Sequence, residues 1–228
     1  MRRGLFLFVF TFLILEIYGQ DANVLISKVK NKLDAVHDYS ATGVLKTGVS
    51  FMKVPDSKVT IFYKSPDQFR ILKPEGISVV PKGGVSINFN ALLSGSAYTA
   101  VMSGKGTIAG KPVTIVKLIP LQEKSDVMIS TLYIDEKELL IRKASTTTKD
   151  NGTYEMEMSY GKFASWGLPD KVIFTFNTKD YKLPKGVTFE YDTGEKPAAK
   201  KESNQKGTLE IAYTDYVINK GIPEKVFK

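Results

Sequence analysis

VMISTLYIDEKELLIRKASTTTKDNGTYEMEMSY, residues 127–160, holds three β-type segments at 127–134, 139–147 and 154–160. Two turn signals separate them, Asp135-Glu136-Lys137-Glu138 and Asp150-Asn151-Gly152. An Asn-Gly pair readily supplies the positive φ angles that a tight hairpin needs, so three antiparallel strands are expected here. In the third strand Tyr154, Met156, Met158 and Tyr160 alternate with Glu155, Glu157 and Ser159, which gives one apolar face and one wet face. Residues 127–134 are instead apolar on both faces, as are 113–116, so something is expected to cover both sides of the sheet there.

The same rhythm extends outward in both directions. Segments at 58–63, 68–73, 113–119, 171–176 and 209–217, and a long first strand from Tyr39, read as further strands. Turn signals recur roughly every eight to twelve residues, among them Lys82-Gly83-Gly84, the pattern of a continuous antiparallel meander. Ahead of them Asp21 and Asn23 are candidate N-caps for a helix running to about residue 36, with Ile26, Val29, Leu33 and Val36 on one stripe. Residues 88–97, with Ala91, Leu92 and Leu93, predict a short second helix. The class is α+β. Two helices are a small cover for so many strands, which leaves part of an apolar sheet face for a ligand; a fully packed core is the competing reading.

The N-terminus reads as an address. Arg2 and Arg3 precede the apolar run LFLFVFTFLIL at residues 5–15, then Glu16-Ile17-Tyr18-Gly19, the organisation of a secretory signal peptide. The run falls short of the roughly 20 residues needed to span a bilayer. Cleavage after Gly19 would leave residues 20–228 as one domain, and losing Arg2, Arg3 and Glu16 lowers the net charge from +8 to +7. A bacterial lipoprotein needs a cysteine directly after its signal peptide, and the chain has 0 cysteines, so the expected product is exported, soluble and not acylated. Residues 194–207, GEKPAAKKESNQKG, are polar and Lys-rich and predict a mobile loop within about 178–207.

Most catalytic equipment is missing. Without cysteine there are no disulfides, thiolate nucleophiles or Cys-based zinc sites, and His37 is the one histidine. The stretch 104–112, GKGTIAGKP, superficially suggests a phosphate loop, but Lys105 stands where the first glycine is needed and Pro112 where the magnesium-binding hydroxyl belongs. It reads as a glycine-rich hairpin. Asp135, Glu136 and Glu138 lack the spacing of a calcium loop, and the sequon Asn151-Gly152-Thr153 coincides with a hairpin turn. The expectation is no catalytic residue, no metal and no cofactor. The lysines are dispersed without the aromatic and glycine signature of an RNA-binding sheet, so no nucleic-acid partner is expected.

The order of features resembles the LolA/LolB-type family of outer-membrane lipoprotein carriers. A signal peptide, an amphipathic helix and a long strand lead to Tyr63-Lys64-Ser65-Pro66-Asp67-Gln68-Phe69-Arg70, similar to the family's strand, proline, turn and Phe-Arg strand. Residues 110–120 resemble its glycine, apolar strand and Leu-x-Pro segment; Leu168-Pro169-Asp170 with Val172-Ile173-Phe174-Thr175-Phe176 resembles its late strand. Tyr213, Tyr216, Asn219, Ile222, Pro223, Val226 and Phe227 make a closing segment. The resemblance implies an incomplete antiparallel β-barrel, a strongly curved sheet with an N-terminal helix and a short lid helix over an apolar concave face. It implies a monomer that carries lipoprotein acyl chains or other lipid from an inner-membrane donor complex to an outer-membrane acceptor. On this reading Ile61, Tyr63, Phe69, Ile71, Met128, Leu132, Met156, Met158, Phe174 and Phe176 line the cavity, and Leu92 and Leu93 belong to the lid. Family members have a basic residue directly before the proline that bonds the lid. Here that position is Ser65, with Lys64 before it, and Arg70 is the candidate lid latch. Two other classes stay open: a periplasmic sensor or interaction module on the same architecture, and a secreted enzyme.

Overall fold

Asp21 accepts a 2.9 Å hydrogen bond from the Asn23 backbone N–H and so caps helix α1, Ala22–Asp34, in a computed structural model of the chain. The structure describes residues 21–49, 52–53, 55–72, 93, 97–123, 125–150, 152–177 and 206–227. The expected signal peptide, Leu92, and most of the segments at 88–97 and 178–207 lie outside these residues. Helix α1 buries Ala22, Leu25, Ile26 and Val29. It ends a little earlier than its stripe suggests: Val36 lies beyond the helix, where it is buried against Tyr39, Tyr63 and Leu168 in a second apolar cluster.

The strands are β1 (Asp38–Val49), β2 (Met52–Lys53), β3 (Ser57–Lys64), β4 (Gln68–Leu72), β5 (Tyr98–Ile108) and β6 (Lys111–Pro120). Then follow β7 (Val127–Asp135), β8 (Leu140–Thr148), β9 (Thr153–Ser159), β10 (Lys171–Asn177) and β11 (Lys206–Ile218). They form one antiparallel sheet in the order β4-β3-β1-β11-β10-β9-β8-β7-β6-β5, with β2 paired to β1. With α1 on its apolar face this is the expected α+β incomplete barrel.

The meander is not continuous as the sequence suggests. Strands β5 to β11 run in order, β1, β3 and β4 form a second group, and the long pairing of β1 with β11 joins them, from Tyr39 opposite Ile218 to Gly48 opposite Thr208. A bulge between Thr42 and Gly43 interrupts that pairing. A Cβ at Gly43 would lie 2.6 Å from the Ala212 carbonyl oxygen, so only glycine fits this close approach. β4 and β5 end the strand order, and residues 73–97 connect them in sequence. Leu93, within that connection, is buried in one cluster with Leu25, Ile26 and Val29 of α1.

Turn chemistry behaves as read. Residues 104–112 are part of the β5–β6 hairpin, with Ala109 and Gly110 at positive φ, and Gly152 takes φ 67° at the β8–β9 turn. The C-terminal turn ties the chain ends together. The Asn219 side chain accepts from the His37 and Asp38 backbone N–H groups and donates to the Ala35 carbonyl. Asp38 in turn accepts from the backbone N–H groups of Lys220 and Gly221. This knot fixes the junction of α1 with β1.

A buried ion pair closes the β7–β8 hairpin. Arg142, the extra residue of a bulge in β8, donates to Asp135 at 2.9 Å and to Glu138 at 3.0 Å. Burial would raise the Asp135 pKa, but the hydrogen bonds from Arg142 and the turn backbone outweigh it and hold the carboxyl below its ordinary value. The folded value is depressed, so this contribution to stability is complete above about pH 4 and is lost as pH falls through the depressed folded value. Asp135→Asn is expected to cost about 3 kcal/mol at pH 7, since Arg142 keeps only the half-exposed Glu138. Denaturant titrations at pH 7 and pH 3 should show the variant losing less stability on acidification than the wild type.

Two expectations are corrected. Cover on both faces holds for 113–116, where Val113, Thr114 and Val116 are buried and Ile115 half-buried, but it is partial over 127–134, where Val127, Ile129, Thr131 and Tyr133 are only half-buried. Met128, 55% exposed, is the extra residue of a bulge between Val127 and Ile129, so the alternation that places Ser130, Leu132 and Ile134 inward breaks before reaching it.

Candidate functional site: an apolar cavity under helix 1

The inner face of the sheet is set by strand alternation. Val59, Ile61 and Tyr63 of β3 are buried, Tyr63 stands opposite Phe69 and Ile61 opposite Ile71 across β4. Tyr39, Ala41 and Leu45 of β1 join them with Ile211 and Tyr216 of β11. On the other half Met158, Val172, Ala144, Leu132, Val116 and Leu118 form the bed on which α1 lies. The helix is held there by apolar contact, supplemented by a 2.7 Å bond from Lys32 Nζ to the Glu138 carbonyl. Fully burying a side chain such as Leu25, Ile26 or Val29 contributes roughly 1.5–3 kcal/mol, and the contact is non-directional.

Between the last turns of α1 and the sheet lies a cavity of about 60 Å³. The helix contributes Val29 and Leu33 to its wall, the sheet Tyr39, Tyr63, Met158 and Tyr213, and the β9–β10 connection Trp166 and Leu168. None of the residues lining it is charged. The β9–β10 connection makes a 3-10 turn at Ala164–Trp166 that closes on Gly167 at φ 72°. A Cβ at Gly167 would lie 3.1 Å from Leu33 Cδ2, so the left-handed backbone and the closeness of the helix both call for glycine.

Tyrosines dominate the polar end. Tyr39 packs against Tyr63 and Tyr216 with ring centroids 5.3 Å from each, and Tyr213 stacks on Tyr216 at 5.0 Å. The Tyr160 hydroxyl donates to the Ile141 carbonyl at 2.8 Å and Tyr216 to Pro169 at 2.7 Å. Burial raises the pKa of Tyr39, Tyr160, Tyr213 and Tyr216, so all four are neutral hydroxyls at physiological pH. Among the described residues no group of three His, Cys, Asp or Glu could hold a metal ion.

Of the residues expected to form a cavity, Tyr63 and Met158 line this one. Ile61, Ile71 and partly buried Phe69 pack in the β1–β3–β4 cluster, and Leu132 lies under α1. Met156, Phe174 and partly buried Phe176 form a separate cluster with Tyr154. Leu93 is buried against α1, and Leu92 is outside the described residues. Arg70, the candidate latch, pairs with Phe62, out of phase with the inward Ile61 and Tyr63, and its guanidinium donates to the Val226 carbonyl at 2.5 Å. Lys64, on the same face, pairs with Glu224, so both cations secure the C-terminal segment on the outer side of the sheet. Sequence reasoning missed Tyr39, Tyr160 and Tyr213 as lining residues, although the inward phase of 154–160 pointed to Tyr160. The helix stripe of Val29, Leu33 and Val36 was the signal for the opposite wall.

No protein-family profile and no curated protein sequence matches the chain. Solved structures do. A LolA superfamily protein from Nitrosomonas europaea aligns with a TM-score of 0.56 at 10% identity, covering 91% of this chain and 97% of that one. A domain named for outer membrane lipoprotein sorting, from Vibrio parahaemolyticus, aligns at 0.53 and 12% identity over 90% of this chain and 94% of its own. A DUF1329 family protein from Desulfovibrio piger gives 0.56 at 11% identity over 91% and 97%. The chain therefore has the LolA-like fold.

Proposed function

We propose that this protein is a non-catalytic carrier that takes the acyl chains of a lipoprotein, or of another lipid, into the space between helix α1 and the concave face of the sheet. The observation that carries the reading is the cavity beneath α1, walled by uncharged and mostly apolar groups. Sites that enclose a whole small ligand measure roughly 300–1,000 Å³. At about 60 Å³ this cavity is a starting point, and a chain enters by displacing α1 from the sheet. The helix is suited to that: it is seated chiefly by aliphatic contacts, which acyl methylenes can replace one for one at roughly 0.8 kcal/mol each. Binding is thus an exchange of similar apolar contacts, and such an exchange can be reversed at an acceptor.

The same reading takes residues 1–19 as a secretory address, the periplasm as the compartment, and an inner-membrane donor complex and an outer-membrane acceptor as partners. Leu93 and α1 together form the cover. Native mass spectrometry of gently purified mature protein tests the proposal. Co-purifying diacyl or triacyl species, or uptake of an added diacylated lipopeptide, is the expected result. A clean apo mass with no uptake rules the reading out.

A further inference from the structure

We infer that the cavity recognises the carbonyl oxygen of an acyl ester or amide, through the hydroxyls of Tyr39 and Tyr213, and so takes neutral acyl-linked lipids in preference to bare or ether-linked chains. The inference rests on the carrier reading and names what its site selects.

The tyrosines in and behind the wall of the space beneath α1 are not equivalent. Tyr160 spends its hydroxyl proton on the Ile141 carbonyl, which fixes its ring as part of the wall, and Tyr216, packed against Tyr39 and Tyr213, donates to the Pro169 carbonyl. Tyr39 and Tyr213 both line the cavity, and their hydroxyls make no hydrogen bond among the described residues. Nor are their oxygens sealed in: Arg142 Nε is the sealed and unpartnered side-chain polar atom among the described residues, and it is already flanked by the Asp135 and Glu138 pairs. Two tyrosines that line the cavity therefore keep hydroxyls without an acceptor among the described residues, while their rings are held by Tyr63 and Tyr216.

An unpaired hydroxyl in such surroundings costs free energy that a ligand acceptor recovers. Both groups remain protonated and can donate. The matching ligand atom is an acceptor that is itself uncharged, because no cation lines the cavity to offset the desolvation of a carboxylate or phosphate. An acyl ester or amide carbonyl meets both conditions, and it sits at the head of the chain whose methylenes fill the remaining apolar wall.

The test compares two probes with identical chains and head: a dipalmitoyl-glyceryl lipopeptide and its dihexadecyl ether analogue, in which the carbonyl oxygens are absent. Wild-type protein is expected to bind the diester about tenfold more tightly than the diether, the ratio one or two neutral hydrogen bonds provide. The double variant Tyr39→Phe/Tyr213→Phe keeps both rings and is expected to bind the two probes equally. Equal binding of both probes by the wild type overturns the carbonyl assignment while leaving the carrier reading intact. A diester preference that survives in the double variant overturns it too. Binding of neither probe by folded wild type removes both. Should the double variant not fold, the single Tyr213→Phe variant, at the less buried of the two positions, is held to the same comparison, and an undiminished ratio there counts against the assignment.

Discussion

Met156→Glu is expected to abolish cooperative folding. Met156 is 2% exposed and lies on the inner face between Ala144 of β8 and Phe174 of β10, packed with Tyr154. A carboxylate there gains no cationic partner, since the lysine of that region, Lys143, belongs to the opposite face, where it pairs with Glu155 and Glu157. Burying an unpaired charge costs several kcal/mol, comparable with the whole stability of about 5–15 kcal/mol for a domain. Met156→Leu keeps the volume and should cost less than about 1.5 kcal/mol. Denaturant midpoints and near-ultraviolet circular dichroism distinguish the outcomes. A folded Glu variant within about 1 kcal/mol of wild type would mean that Met156 faces open space and that the ligand site reaches this far along the sheet.

Leu33→Trp is expected to lower lipid uptake at least tenfold while leaving the fold intact. Leu33 is partly buried at the end of α1, lines the cavity and lies against Gly167, so the larger ring fills the space from which a chain would displace the helix. Overpacking at such a site costs about 1–3 kcal/mol, tolerable for a domain of this size. Titration with a fluorescent diacyl probe, alongside thermal unfolding, gives the comparison. Unchanged affinity in a folded Leu33→Trp variant would mean that lipid enters elsewhere. Leu33→Ala, which enlarges the same space, should bind at least as well as wild type.

The strands of 113–176 were legible because each local signal agreed with the next. Period-two alternation at 154–160 gave the inward Tyr154, Met156 and Met158, and Asp150-Asn151-Gly152 gave the hairpin that fixes their register against Thr146 and Ala144. Strand β5 was harder to see because Ser103, Gly104, Lys105 and Gly106 dilute its pattern, and a bulge between Met102 and Gly104 breaks its phase. Met128 was misplaced for the same reason: alternation holds only as far as the next bulge, and a bulge is one extra residue with no sequence marker of its own.

Arg70 shows a second limit. It stands out of phase with the buried Ile71, and one of its partners, the Val226 carbonyl, lies 156 residues away, a meeting that no local pattern encodes. The cavity is similar. Val29, Leu33 and Val36 announce one apolar stripe and Tyr213 belongs to a recognisable closing segment, yet their convergence follows from the β1–β11 pairing that brings the two ends of the chain together.

The sequence by itself determined the class of fold, most strand positions and the apolar stripe of the helix, because periodicity and turn chemistry act over a few residues. It also set the scarcity of catalytic groups. The tertiary structure decided which apolar face became packed core, which lines a cavity, and which tyrosines spend their hydroxyl protons on the backbone. Those outcomes depend on bulges and on pairings between distant segments, where a shift of one residue turns a side chain from the interior to solvent.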